Sequence, residues 1–166
     1  MWLGLLKCQT NLGGRETVMA EKKPLTWVER YEEGLVRLKA MKLEAEIDCN
    51  FDVTKMDSNF NVTMAIQKWH GKRIDWSNTF RVIESKHAQI TRARYEFYKK
   101  EFHLKLDNKL EMELFVHSDK EYIEVDNMLK LTKDVLQFIK DTVENLKGKG
   151  FEMKRWLDWQ NFINGR

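Results

Sequence analysis

The chain has 166 residues, 42% of them apolar and a third charged, which suits one domain with a core and some tail. Its net charge of +3 is too small by itself to imply a nucleic-acid partner. One proline (Pro24) and eight glycines are few breakers for this length, so the composition predicts a mostly α fold with long helices and disfavours a many-stranded sheet.

Residues 1–25 contain Gly13-Gly14 and Pro24 and no periodic apolar pattern, so they read as a loose, disordered extension. Met19 is an alternative start. Thr26-Trp27-Val28-Glu29 is a capping-box pattern, and it predicts a helix through Leu35, Leu38 and Met41 to about Glu46. Asp57 or Ser58 can cap a second helix carrying Phe60, Met64 and Trp69, stopped near Gly71. From Asp75 or Ser77, the residues Trp76, Phe80, Ile83, His87, Ile90, Ala93 and Phe97 fall on one stripe, a helix of about 28 residues. His87 on that stripe reads as a core histidine.

Ser118-Asp119-Lys120-Glu121 is a further capping-box pattern, and Asp126 can cap a helix of its own. Met128, Leu131, Val135, Phe138, Thr142 and Leu146 alternate spacings of three and four, a coiled-coil-like rhythm. Lys147-Gly148-Lys149-Gly150 is expected to stop that helix. The tail beyond it carries Phe151, Trp156, Trp159, Phe162 and Ile163, more apolar side chains than one short helix can bury. They belong either to the chain's own core or to contacts between subunits. The expected layout is therefore an extension over 1–25, a helical region over 26–125 and a C-terminal helical region over 126–166.

The chemistry-bearing residues point away from an enzyme. There is no nucleophile–base pairing, phosphate loop or pair of carboxylates in a plausible cleft, so no catalytic residue is assigned. Cys8 and Cys49 form no disulfide framework, and His70, His87, His103 and His117 have no metal-ligand spacing. No metal or cofactor is expected, and a reducing compartment is. No apolar run approaches the roughly 20 residues of a membrane span, and Lys7 interrupts an opening that would make a poor signal peptide.

Charge is unevenly spread. Residues 68–110 hold 11 Lys and Arg against 5 Asp and Glu, whereas residues 111–127 hold one Lys against six acids. Within the basic stretch, Thr91-Arg-Ala-Arg-Tyr-Glu-Phe-Tyr-Lys-Lys-Glu-Phe102 interleaves four basic and four aromatic residues. Single-strand binding needs both, cations for phosphates and flat rings for bases. At 100° per residue, Arg81, Arg92 and Lys99 share the face opposite the apolar stripe, with Tyr95, Tyr98 and Phe102 on one flank. Arg94 projects near the stripe instead. It makes a structural ion pair, or an assembly presents more than one side of the helix to DNA. The competing reading makes the rings core and the cations a solvated face.

Read together, Lys68-Trp69, Arg92-Ala-Arg-Tyr-Glu-Phe-Tyr98, Asp119-Lys-Glu-Tyr-Ile-Glu-Val-Asp126 and Lys147-Gly-Lys-Gly-Phe-Glu-Met-Lys154 resemble, in order, the UvsY recombination mediators of T-even-type phages. The likeness spans about residues 50–166 and is poor over 99–118. It implies a non-enzymatic protein of the infected bacterial cytoplasm. Such a protein binds single-stranded DNA and helps a RecA-like (UvsX-like) recombinase replace the phage single-strand-binding protein in recombination, repair and replication. The family's basic pair falls on Arg92 and Arg94, the first being Arg where the family carries Lys. With the bottom-up reading, the DNA-binding candidates are Arg81, Arg92, Arg94, Tyr95, Tyr98, Lys99 and Lys100. The family's ring of six or seven subunits places assembly in the C-terminal region, with Val135, Phe138, Phe151, Trp156, Trp159 and Phe162 as candidates. The alternative is a helical oligomeric structural or adaptor protein without a DNA role.

Overall fold

A computed structural model describes residues 25–50, 62–102 and 108–165. Among the described residues the fold is all-α: α1 (Trp27–Cys49), α2 (Val62–Lys100), α3 (Lys109–Ser118) and α4 (Lys120–Ile163), with no strand. Apart from Leu25, the expected N-terminal extension and its Met19 lie outside the described residues, as do Asp57, Ser58 and Phe60.

α1 starts where its capping box dictates. Thr26 Oγ1 accepts from the Glu29 amide at 3.2 Å, and Glu29 Oε2 accepts from the Thr26 amide at 2.7 Å. Closing both bonds satisfies two otherwise orphaned donors and is worth about 1 kcal/mol. The helix runs past Glu46 to Cys49, laying Leu35, Leu38, Met41 and Ala45 on its inner face.

α4 is the spine on which α1 and α2 both pack. The residues Met128, Leu131, Val135, Thr142 and Leu146 of the expected rhythm are buried, and Phe138 packs against them. Val125, Leu129, Ile139 and Val143 add a second buried row. Two neighbouring helices need a wider apolar face than the single seam of a coiled coil. The buried hydroxyls of Thr132 and Thr142 donate to the carbonyls of Met128 and Phe138, four residues back, at 2.6 and 2.8 Å. At Gly34, α1 comes so close to α4 that a Cβ would stand 2.8 Å from Leu131 Cδ2.

Four expectations need correction. First, α2 does not stop near Gly71: the second and third expected helices are one helix of 39 residues. Second, α4 runs through Gly148 and Gly150 as one helix of 44 residues, without a new cap at Asp126. Neither region turns left-handed, and the described residue with positive φ is Gly165 at 67°, just past the C-cap Asn164. A helical glycine costs about 1 kcal/mol against alanine. Trp69, fully buried, and the packed Trp76 and Phe80 hold the helix on both sides of Gly71. Third, the expected boundary between residues 125 and 126 falls inside α4 and inside the core. Fourth, α4 is capped by Asp119, whose carboxylate accepts the Glu121 amide at 2.9 Å, while Ser118 ends the unanticipated α3. The apolar stripe of α2 holds from Trp76 to Ile90, after which Ala93 is exposed and Arg94 takes the inward position.

A polar clamp ties α1 to α2 above the buried indole of Trp69. The indole Nε1–H donates to Asp48 Oδ2 at 2.8 Å, and Lys68 Nζ reaches the same oxygen at 2.6 Å. Lys68 also meets Glu44 at 2.9 Å, and Lys72 pairs with Glu44 while lying over the Trp69 ring at 4.6 Å. Burial works against the charge on Glu44, but hydrogen bonds from Lys72 and Lys68 outweigh it and hold its carboxyl below the ordinary range. The clamp therefore accounts for the cations at 68 and 72 without any external partner.

His87, expected in the core, is half-buried, with its Nε2 3.5 Å from Asp126 Oδ1 and its ring on Tyr122 at 4.9 Å. Its Nε2 is enclosed and has no hydrogen-bond partner among the described residues.

Candidate nucleic-acid interface

α2 is straightforward to divide by face. Trp69, Trp76, Phe80, Ile83 and Ile90 point to α4. The opposite side carries Arg81, Arg92, Tyr95 and Lys99, all exposed. The spacings of eleven, three and four residues put them on one line along the helix.

Arg92 is 83% exposed, and its pairing with Glu96 at 3.3 Å is a surface contact that leaves the guanidinium available. Arg81, Lys99 and Lys100 have no carboxylate partner among the described residues. Lys99 and Lys100 also close the last turn of α2, where cations favour the helix C-terminus. Tyr95 is 38% exposed, a ring beside cations.

Arg94 and Tyr98 are placed differently from their neighbours. Arg94 is 25% exposed, its Nε lies 3.2 Å from Asp119 Oδ1, and its fork also pairs with Glu121. The hydrogen bond to Glu121 raises the guanidinium pKa further above its already high ordinary value, so the group stays charged. The Tyr98 hydroxyl donates to Asp119 Oδ2 at 3.1 Å, and its ring packs on Phe102 and Phe115 at 5.2 and 5.8 Å. Burial, then the bond to Asp119, raises the phenol pKa and keeps it a donor. Asp119 thus caps α4 and holds Arg94 and Tyr98 of α2 at once. Of the two routes open to Arg94, the described contacts match the structural ion pair. Tyr98 belongs to an aromatic cluster joining α2 to α3, not to an open stacking surface.

The assembly candidates also separate. Val135 is fully enclosed by this chain, and Phe138 meets Trp69 edge to face at 6.1 Å. Val135 thus lies in the core of this chain, and the half-buried Phe138 packs against that core. Phe151, Trp159 and Phe162 are exposed, Trp156 is half-buried, and the Trp159 and Phe162 rings stack at 6.2 Å.

Arg73, missed by the sequence reading, stands on the solvent side of α2 near Arg81. The expected break near Gly71 hid it: with one continuous helix, the same 100° arithmetic puts Arg73 about 80° round the helix from Arg81, on the flank of the line, and the two residues line one groove. Among the described residues no cluster of His, Cys, Asp and Glu could hold a metal ion. No described helix is long and apolar enough to cross a membrane.

Comparison with known proteins fits this geometry. Residues 41–166 match the model of the family described as recombination, repair and ssDNA binding protein UvsY. The chain belongs to the UvsY family. It is 26% identical to the recombination protein uvsY of Enterobacteria phage T4 over 137 residues, covering 79% of this chain and all of the T4 protein. Crystal structures of the bacteriophage T4 recombination mediator protein UvsY superpose on it. One (lattice type II) has a TM-score of 0.70 at 26% identity, over 76% of this chain and 97% of that one. Another (lattice type IV) gives 0.67 at 24% identity, over 76% and 98%. The UvsY match covers α2, α3 and α4 entirely and takes in the end of α1 from Met41. It therefore includes the exposed line on α2 and the apolar end of α4.

Proposed function

We propose that this chain is a non-enzymatic recombination mediator that binds single-stranded DNA along the exposed face of α2. In this role it promotes exchange of a single-strand-binding protein for a RecA-like recombinase in the cytoplasm of an infected bacterium. The observation that carries the reading is the line of Arg81, Arg92, Tyr95 and Lys99 on one solvent face of a long helix, in a chain of the UvsY family. Three cations spaced along the helix can meet separate phosphates of one strand, and the tyrosine between Arg92 and Lys99 offers a ring to a base. Such contacts carry little base information, so binding is nearly sequence-independent.

Assembly belongs to the same proposal. Phe151, Trp159 and Phe162 at the end of α4 form the subunit contact of a ring, joined by the half-buried Trp156. A ring repeats the α2 face once per subunit and multiplies weak phosphate contacts on one strand.

Native mass spectrometry of the full chain with and without a thymidine oligonucleotide tests both parts. The expected spectra show a closed oligomer that takes up the oligonucleotide. An oligomer that takes up none would replace this reading with the adaptor one, and a monomer would overturn the assembly part.

A further inference from the structure

Running upstream from Arg81, the first cation of the proposed site, α2 carries an open groove lined by His70, Arg73, Ile74, Ser77, Asn78 and Arg81. All six belong to α2, and the fold has no visible use for them. Trp69, just before them, and Trp76, between them in sequence, turn the other way toward the core. The nearby cations Lys68 and Lys72 are consumed by Glu44 and Asp48 in the clamp to α1. Arg73 and Arg81, by contrast, have no carboxylate or ring partner among the described residues. Between them sit two neutral hydrogen-bonding side chains, Ser77 and Asn78, and Ile74, whose side chain is left 63% exposed.

We infer that this groove is a second phosphate-binding segment, so that one single strand runs along most of the length of α2 rather than over its C-terminal half alone. The inference rests on the single-strand reading above and extends it upstream of Arg81, the one groove residue already on that line, to five residues without a role in it. Arg73 and Arg81 neutralise phosphates, Ser77 and Asn78 offer hydroxyl and amide donors to phosphate or sugar oxygens, and exposed Ile74 meets a base or sugar. Downstream of Arg81, the same face offers Ser85 and Ala88, small and uncharged, before Arg92, Tyr95 and Lys99. From Arg73 to Lys99 the helix rises about 39 Å, against about 27 Å from Arg81 to Lys99. At about 3.4 Å per nucleotide of stacked strand, the longer track spans on the order of ten nucleotides.

The test uses the full chain, a fluorescent thymidine oligonucleotide of about 20 nucleotides, and anisotropy titrations over a range of salt. Three disruptive variants are compared, Arg73→Ala, Asn78→Glu and Arg92→Ala/Lys99→Ala, with Arg73→Lys as the charge-preserving control. Asn78 is exposed, so Asn78→Glu removes no packing. It places an acid in the groove that repels phosphate and neutralises Arg81. Helical content and melting temperature of all three should match the parent. The expected result for Arg73→Ala is affinity weakened about threefold to tenfold and a log–log salt slope shallower by about 0.7, one phosphate contact. Asn78→Glu should weaken binding at least as much, and Arg73→Lys should restore most of the loss. If Arg92→Ala/Lys99→Ala weakens binding while Arg73→Ala and Asn78→Glu leave affinity and slope unchanged, the groove is a solvated face and the inference fails alone. If all three bind like the parent, the single-strand reading fails and the inference with it.

Discussion

Arg92 and Arg94 are two residues apart, yet their surroundings differ sharply. Arg92 stands in solvent. Arg94 is three-quarters covered and held between the cap of α4 and the start of its first turn. Removing Arg94 strips a partly buried carboxylate of its partner, which costs about 1–3 kcal/mol. Arg94→Ala is therefore expected to lower the melting temperature and loosen α2 from α4, whereas Arg92→Ala leaves the melting temperature in place and weakens DNA binding. Thermal melts and anisotropy titrations on the two single variants check this. Equal melts with equal losses of affinity would return both arginines to the DNA face. Helical angle alone showed that Arg94 could not share a face with Arg92. Its partner Asp119 lies 25 positions away in sequence, beyond the reach of any periodicity, which is why the ion pair stayed an open alternative. Tyr98 was harder still, because a tyrosine among cations reads the same whether its ring is stacked on Phe115 or bare.

At the scale of elements, local signals were legible where they closed on themselves. The Thr26–Glu29 box, the α2 stripe and the inward rhythm of α4 all depend on residues within two turns of each other. Glycine was misread because its cost is local while its compensation is not. Packing of Trp69 on one side and Trp76 on the other carries α2 through Gly71, and no sequence window displays that. α3 escaped for the opposite reason. It is 10 residues long, with exposed Leu110 and Leu114 beside buried Met112 and Val116, so it has no clean apolar stripe. A Cβ at Gly71 or Gly148 would meet nothing within 4 Å. Gly71→Ala and Gly148→Ala should each raise stability by about 0.5–1 kcal/mol, through helix propensity alone. Urea unfolding measures this. A loss at either site would mean the helix is broken there, as the glycines first suggested.

At the scale of the whole molecule, one chain presents two surfaces it does not use internally: the cationic face of α2 and the apolar end of α4. The second is the better candidate for contact between subunits, because Val135 is enclosed in the core and Phe138 packs against it, whereas Phe151, Trp159 and Phe162 are exposed. Trp159→Ala/Phe162→Ala removes two exposed rings and no core packing. Sedimentation velocity should show that variant dissociating while its helical content and monomer fold persist. Persistence of the parent assembly would place the subunit contact elsewhere. The two surfaces are separate in the chain, so losing assembly should weaken DNA binding only through lost multivalency, whereas losing the α2 cations should leave the oligomer intact.

That separation rests on the claim that α2 binds single strands through the line of Arg92 and Lys99. The most direct measurement is the salt dependence of thymidine-oligonucleotide binding by the full chain and by Arg92→Ala/Lys99→Ala, with the oligomeric state checked on the same samples. The account predicts weaker binding by the variant on every sequence tried, a log–log slope shallower by about 1.4 for two lost phosphate contacts per strand footprint, and an unchanged oligomer. An unchanged affinity and slope would contradict it.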